Sequence, residues 1–299
     1  MVNNIPKLPI DRATGLSLSA LLLGGVLIGL SPIFVRLSEL GPISTAFWRV
    51  GLAFLPLLAW RMTQNSNPNV HERPSSLRDM LALIFPGTML AGDLIAWHIS
   101  ITMTSVANAT LLANLSPVFV MLGSWLLFGS MVSRRFMAAL ALAIAGVILL
   151  SSKPGSAPSG TTSGDAVAIL AAIFYSGYLL SLAQLRARYS TLTTMLWTTG
   201  SAALCMLPVA LVWETSFWPT TGTSWVILVA LGWVCHVGGQ GLIVYALALL
   251  PASFSSLTLL IQPVVAASVA WLVLHESLGI HQIAGGAIVI LGILLARRG

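Results

Sequence analysis

Apolar runs of roughly twenty residues follow one another along almost the whole chain, separated by short polar breaks. Each is long enough, as a helix, to cross a hydrocarbon core. Ten such runs lie near 16–36, 42–61, 79–100, 105–128, 133–151, 165–185, 191–213, 224–247, 252–274 and 279–296. They predict an all-α integral membrane protein with ten transmembrane helices. Most connections are a few residues long, but the polar stretch 63–78 and the Ser/Gly/Pro-rich stretch 151–164 are longer. The expected organisation is a cytosolic tail (1–15), a first five-helix repeat (16–151), a linker (152–164) and a second five-helix repeat (165–297).

The repeat rests on self-similarity. Shifting the window 105–150 by 146 residues puts Pro117 on Pro263, Val118 on Val264, Trp125 on Trp271, Leu126 on Leu272 and Gly146 on Gly292. About ten of 46 positions are identical without a gap. A proline, a tryptophan and a glycine in one register weigh more than Leu on Leu, which apolar composition supplies anyway. The second spans echo more weakly: Ser-Thr-Ala-Phe-Trp at 44–48 lies against Thr-Thr-Met-Leu-Trp at 193–197, with Gly51 on Gly200. Five spans per half is an odd number, so the halves cross the membrane in opposite senses. Inverted repeats of this kind build secondary transporters, with the substrate site at the repeat interface near the midplane.

Only 7% of the residues are charged and 57% are hydrophobic, against about a quarter charged in a soluble domain. Most of the exterior must therefore face lipid. The net charge of +6 suggests a nucleic-acid partner only until its distribution is read, because Lys and Arg sit singly or in pairs between apolar runs. That is a topology signal, and no nucleic-acid partner is expected. With the N-terminus inside, the inner segments carry Lys7, Arg12, Arg61, Arg73, Arg78, Arg134, Arg135, Arg186, Arg188, Arg297 and Arg298, and the outer loops only Arg36 and Lys153. Both termini are expected in the cytosol, with the chain in a plasma membrane such as the bacterial inner membrane. The first residues lack a small-residue cleavage motif and read as a tail before a retained helix. Cys205 and Cys235 lie in apolar stretches without CxxC spacing and read as small buried residues.

At this point the residues resemble a known family. Ala-x-Ala-(x)₇-Pro-Val-Phe-Val…Trp-Leu-Leu-Phe-Gly at 107–129 resembles the EamA-type domain of the drug/metabolite transporter superfamily. So does the second copy, Pro-Ala-Ser-Phe…Gln-Pro-Val…Trp-Leu-Val-Leu-His-Glu-Ser-Leu-Gly at 251–279, followed by a last helix with Gly285, Gly286 and Gly292. Phe47-Trp48-Arg49 is similar to that domain's arginine-bearing second helix. The resemblance covers roughly 15–151 and 165–297. It departs where the family carries a Glu after the fourth span of each half: Glu276 is present, but Ser130 stands in the first copy. The resemblance implies a ten-helix carrier exporting small metabolites or amino acids, with a central cavity lined by the first, third and fourth helices of each half.

Polar groups inside the spans carry the candidate chemistry, since an ionisable group at mid-bilayer costs about 2.5–3.5 kcal/mol on insertion scales. Asp93 and Arg49 fall at similar predicted depths in neighbouring spans. They read either as a structural ion pair or, for Asp93, as a substrate or proton site with Trp97 one turn away as an aromatic lid. His236 and Gln240 share a helical face flanked by Gly238, Gly239 and Gly241, which fits either glycine-mediated packing or a cavity wall. Thr110 with Asn114, and Thr258 with Gln262, precede Pro117 and Pro263, which free backbone carbonyls. Each amide either mends its broken helix or holds a substrate ammonium or amide. Tyr175 and Tyr178 give an aromatic face with polar tips; His98 sits near the outer boundary, where it meets water. Pro86-Gly87 reads as a hinge. His275, Glu276 and His281 do not make a metal motif, and neither a metal nor a cofactor is expected.

The leading reading is a secondary transporter, an exporter of small polar metabolites or amino acids. The predicted substrate-binding residues are Asp93, Trp97, Asn114, Tyr178, His236, Gln240 and Gln262. Alternating access would come from rocking the halves about the sites near Asn114 and Gln262. No nucleotide-binding G-x-x-x-x-G-K-[ST] motif is present, so drive by ATP is not expected. Proton coupling through Asp93 or a histidine, facilitated diffusion and exchange all stay open, as does a homodimer through Gly25-x-x-x-Gly29. The alternative is a non-transporting scaffold or lipid-handling protein. An intramembrane enzyme is disfavoured, because Asp93 has no second carboxylate within the spans to work with.

Overall fold

The computed structural model describes residues 12–64, 74–104, 106–151, 161–275 and 278–297. Most of the tail and linker, with Arg73 and Glu276, lie outside the described residues. Nine of the described helices are long and apolar enough to cross a membrane. They are α1 (Ala13–Leu37), α2 (Pro42–Thr63), α3 (Leu77–Met103), α4 (Asn108–Phe128), α5 (Arg134–Ser151), α6 (Thr162–Leu185), α7 (Thr191–Trp213), α8 (Gly222–Ala246) and α9 (Ala252–Leu274). A shorter apolar helix, α10 (Ile280–Ala296), completes the ten. Every predicted run is a helix. The fold is all-α, and large apolar side chains such as Leu126, Leu204 and Val212 cover its outside. In a bilayer such a surface meets lipid.

Three helices are broken. The helical runs of α1 stop at Gly29 and resume at Ser31, with Pro32 in the new first turn. Those of α4 stop at Ala113 and resume at Ser116, before Pro117; those of α9 stop at Thr258 and resume at Ile261, before Pro263. A proline lacks the amide that would continue the ladder but suits a helix start. Pro56, Pro86 and Pro208 lie inside unbroken α2, α3 and α7. The expected hinge at Pro86-Gly87 is instead a close crossing: a Cβ on Gly87 would stand 1.9 Å from Ser201 Oγ and 2.4 Å from the Thr198 carbonyl oxygen. In α8 the hydrogen bonding widens to a π-helix over Leu231–Gln240.

Packing follows a two-fold exchange of halves. α1 packs on α8 and α6 on α3; α2 on α8 and α7 on α3; α1 on α9 and α6 on α4; while α2–α7, α4–α9 and α5–α10 each join a helix to its own counterpart. Nearly all the strong contacts thus run between the halves, and the sequence repeat is not a packing unit. Close helix approach uses small residues: a Cβ on Gly285 would lie 2.4 Å from the Leu150 amide nitrogen, and one on Gly146 2.6 Å from the Val289 amide nitrogen. The Gly25-x-x-x-Gly29 motif is used within the chain, where Gly25 faces Ile261 and Gly29 faces Val265 of α9. The repeat reaches the backbone itself. Gly129 (φ 64°) ends α4 and His275 (φ 55°), 146 residues on, ends α9 in the same left-handed conformation.

At the face opposite the termini the halves are latched together. The Glu214 carboxylate, at the end of α7, accepts from the Ile43 and Ser44 amides at 2.6 and 2.8 Å and so caps α2. Trp48 Nε1 donates to the Phe217 carbonyl at 2.8 Å, inside a cluster with Trp218 and Trp225. Glu39 accepts from the Thr220 amide, and from the Thr221 amide and hydroxyl at 3.2 and 3.0 Å. Those hydrogen bonds, led by the Thr220 amide, hold its carboxyl below the ordinary value of 4.5.

Candidate functional site

A cavity of about 210 Å³ lies where the two halves meet. It is lined from α1, α3, α4, α6, α8 and α9, the set the resemblance implied, and α2 adds Ala46 and Arg49. Val35 near the end of α1, His98 near the end of α3 and Thr110 near the start of α4 place it in the half of the bundle away from the termini. Towards the termini the space is closed by buried side chains of one apolar core, including Leu182, Met195, Ile243 and Leu259.

Of the residues predicted to bind substrate, Asp93, Trp97, Asn114, Gln240 and Gln262 line this cavity. Tyr178 and His236 do not. Tyr178 is fully buried in the core with its hydroxyl unpartnered. His236 turns to α7, where its Nε2 meets Thr199 Oγ1 at 2.9 Å, the packing alternative for that face. The wider π turn changes the angular step along α8, so a face drawn at 3.6 residues per turn does not hold there. Tyr175, rather than Tyr178, reaches the cavity wall.

Arg49 and Asp93 both line the cavity but form no ion pair, a correction to the structural pairing expected from their depths. Arg49 Nε is buried without a hydrogen-bond partner. The reason is partly one of register. α3 runs on to Met103, which places Asp93 about 15 Å along the axis from the helix end. Arg49 is only about 10 Å from the start of α2 at Pro42.

His98 is a second correction. It is buried rather than facing water; its Nδ1 contacts the Leu94 carbonyl at 2.6 Å and its ring stands edge-on to Trp97. Its Nε2, Gln240 Nε2 and Ser31 Oγ are, like Arg49 Nε, buried cavity-lining atoms without a hydrogen-bond partner. Asn114 spends its amide nitrogen on the Thr110 carbonyl at 2.8 Å, which mends its own helix. The carbonyl that Pro117 deprives of its usual donor belongs to Ala113, another lining residue. Unmade buried hydrogen bonds cost about 1–3 kcal/mol each, so these cavity-lining groups have capacity for polar partners, water included.

An all-α membrane protein of two inverted five-helix repeats around a central cavity with a few polar side chains has the architecture of a membrane transporter. The EamA-like transporter family matches residues 15–152 and again 162–298, so the chain belongs to that family. It is similar to the pseudopaline exporter CntI of Pseudomonas aeruginosa, 29% identical over 216 residues that cover 72% of this chain and 74% of that one. It is also similar to an uncharacterized transporter of Archaeoglobus fulgidus, 25% identical over 280 residues covering 94% of this chain and 96% of the relative. A solved crystal structure shares the fold at a TM-score of 0.76 and 19% identity, covering 96% of this chain and 98% of that one. The protein is a transporter, not an enzyme.

Proposed function

We propose that the protein exports small zwitterionic metabolites, amino acids among them, across a plasma membrane of the bacterial inner-membrane kind, with both termini in the cytosol. The observation that carries this reading is one basic and one acidic side chain, Arg49 and Asp93, lining one cavity with no salt bridge closed between them. A guest carboxylate fits the guanidinium and a guest ammonium fits the Asp93 carboxylate, both charge-assisted contacts in a setting of low dielectric. Gln240 and Gln262 supply adjustable amides, and Trp97 with Tyr175 an apolar wall. The exporter named among the relatives favours the outward direction, and the distribution of Lys and Arg favours cytosolic termini.

Access alternates by moving units that cross the repeat, such as α2 with α7 and α8, because rocking one half as a body would break most of the strong packing. The test is counterflow in proteoliposomes with labelled amino acids and other small metabolites, with and without a pH gradient. Wild type is compared with Asp93→Asn and Gln262→Ala. Zwitterions should exchange in wild type, with loss of at least about tenfold in Asp93→Asn, the equivalent of ~1.4 kcal/mol. Equal uptake of neutral, anionic and zwitterionic solutes, or full activity in Asp93→Asn, would sink the reading.

A further inference from the structure

On the flank of the bundle, between α3, α4 and α6, two hollows meet at a shared wall of Gly177 and Leu180. The first, of about 400 Å³, is an apolar groove along Leu122, Trp125 and Ile173 that reaches Gly177 and Leu180. The second, of about 850 Å³, begins at the same Gly177 and Leu180 and ends at the termini face between Arg78 and Arg188, with Gln184 and Ser181 beside them. From Leu185, the last residue of α6, to Ile173 the path is about 18 Å at helical rise, close to one leaflet of a ~30 Å core. End to end, the two hollows give an apolar groove reaching about one leaflet deep and a basic mouth at interface level.

Both arginines are exposed. The acid at the mouth, Asp79, is occupied at the start of α3, where its Oδ2 accepts from the Ser75 hydroxyl at 2.7 Å and the Ser75 amide at 3.2 Å. Those bonds favour its charged form, and two arginines against one carboxylate leave the mouth net positive. Basic pockets between transmembrane helices on the cytoplasmic side suit anionic lipid headgroups. We propose that this flank holds one anionic phospholipid of the termini-side leaflet, its phosphate between Arg78 and Arg188 and an acyl chain along Trp125 and Ile173. The lipid bridges α3, α4 and α6, and the site is separate from the central cavity and independent of what that cavity carries.

The test uses the full chain in detergent with equal phosphatidylglycerol and phosphatidylcholine, read by native mass spectrometry. Wild type should retain phosphatidylglycerol in preference. Arg78→Gln with Arg188→Gln should weaken that preference roughly fivefold per arginine, about 25-fold for both. Arg134→Gln with Arg135→Gln, the same charge change at exposed sites away from the groove, should leave it intact. Ile173→Trp should lower retention with both arginines in place. Phosphatidylglycerol brominated on its acyl chain should quench a fluorescence component that Trp125→Phe removes. Equal retention of the two lipids overturns the proposal, as does an equal loss in the Arg134/Arg135 control. So does displacement of the lipid by millimolar inorganic phosphate, which would make the mouth a free-anion site, or a Trp125 that the brominated lipid leaves unquenched.

Discussion

Arg49 and Asp93 decide most at the residue scale, because the same two side chains serve opposite roles depending on whether they touch. Breaking a buried ion pair by removing one partner costs about 3–5 kcal/mol, since a charge is left uncompensated. Here no pair is closed, so Arg49→Gln and Asp93→Asn should each cost clearly less than the ~3–5 kcal/mol of a broken buried pair while abolishing transport of zwitterions. Thermal unfolding in detergent beside a transport assay separates the outcomes: a large fall in Tm for either single variant would restore the structural pair. His275 gives an independent prediction. Its φ of 55° costs a non-glycine residue about 1 kcal/mol, and its repeat partner is Gly129. His275→Gly should raise stability by about that amount, and an unchanged or lowered Tm contradicts it. Residue identity was legible where a polar group interrupts an apolar span, as with Asp93, Gln240 and Gln262. Orientation was not, and His236 and Tyr178 show why: neighbouring helices and a widened turn decide which way a side chain points.

At the scale of elements, the six prolines that lie past the first residue of a helical span sort by the residue before them. Ser31-Pro32, Ser116-Pro117 and Gln262-Pro263 break their helices, and all three polar residues line the cavity. Leu55-Pro56, Phe85-Pro86 and Leu207-Pro208 leave theirs continuous. A polar group ahead of the proline provides hydrogen-bonding capacity where the ladder is interrupted, which hydrocarbon would otherwise penalise. That signal stood in the sequence at Ser31 as plainly as at Gln262. By contrast, nothing local foretold that Gly87 meets α7, because the contact depends on a partner more than a hundred residues away. Gly87→Ala should push α3 from α7 and destabilise the fold by about 1–3 kcal/mol or more, the usual range for overpacking. Gly222→Ala, where a Cβ would meet nothing within 4 Å, is the matched control. Similar Tm values for the two variants would mean that the crossing yields easily.

The whole molecule is asymmetric in chemistry though symmetric in packing. The repeat places Thr198 opposite Arg49 and Leu260 opposite Asn114, both buried, so at these two mirrored positions uncharged side chains pack where the cavity side has an arginine and an amide. The structure therefore has its cavity towards the face opposite the termini, and loading from the termini side in the proposed export cycle requires the core around Leu182, Met195 and Val244 to part. The latches of Glu39, Glu214 and Trp48 join α2 to the α7–α8 corner across the repeat, so under the proposed alternating access this corner would move as one piece. Single cysteines test the consequence, on a background with Cys205→Ser and Cys235→Ala. Val35→Cys, on the cavity wall, should react with a membrane-impermeant thiol reagent added at the face opposite the termini, and Val244→Cys, fully buried, should be protected at rest. During turnover of a transported substrate the Val35 site should become less reactive and the Val244 site more reactive from the termini side, in reciprocal proportion. Simultaneous labelling of both sites from both sides would describe a channel. An inert Val244 site during measurable transport would place the pathway elsewhere.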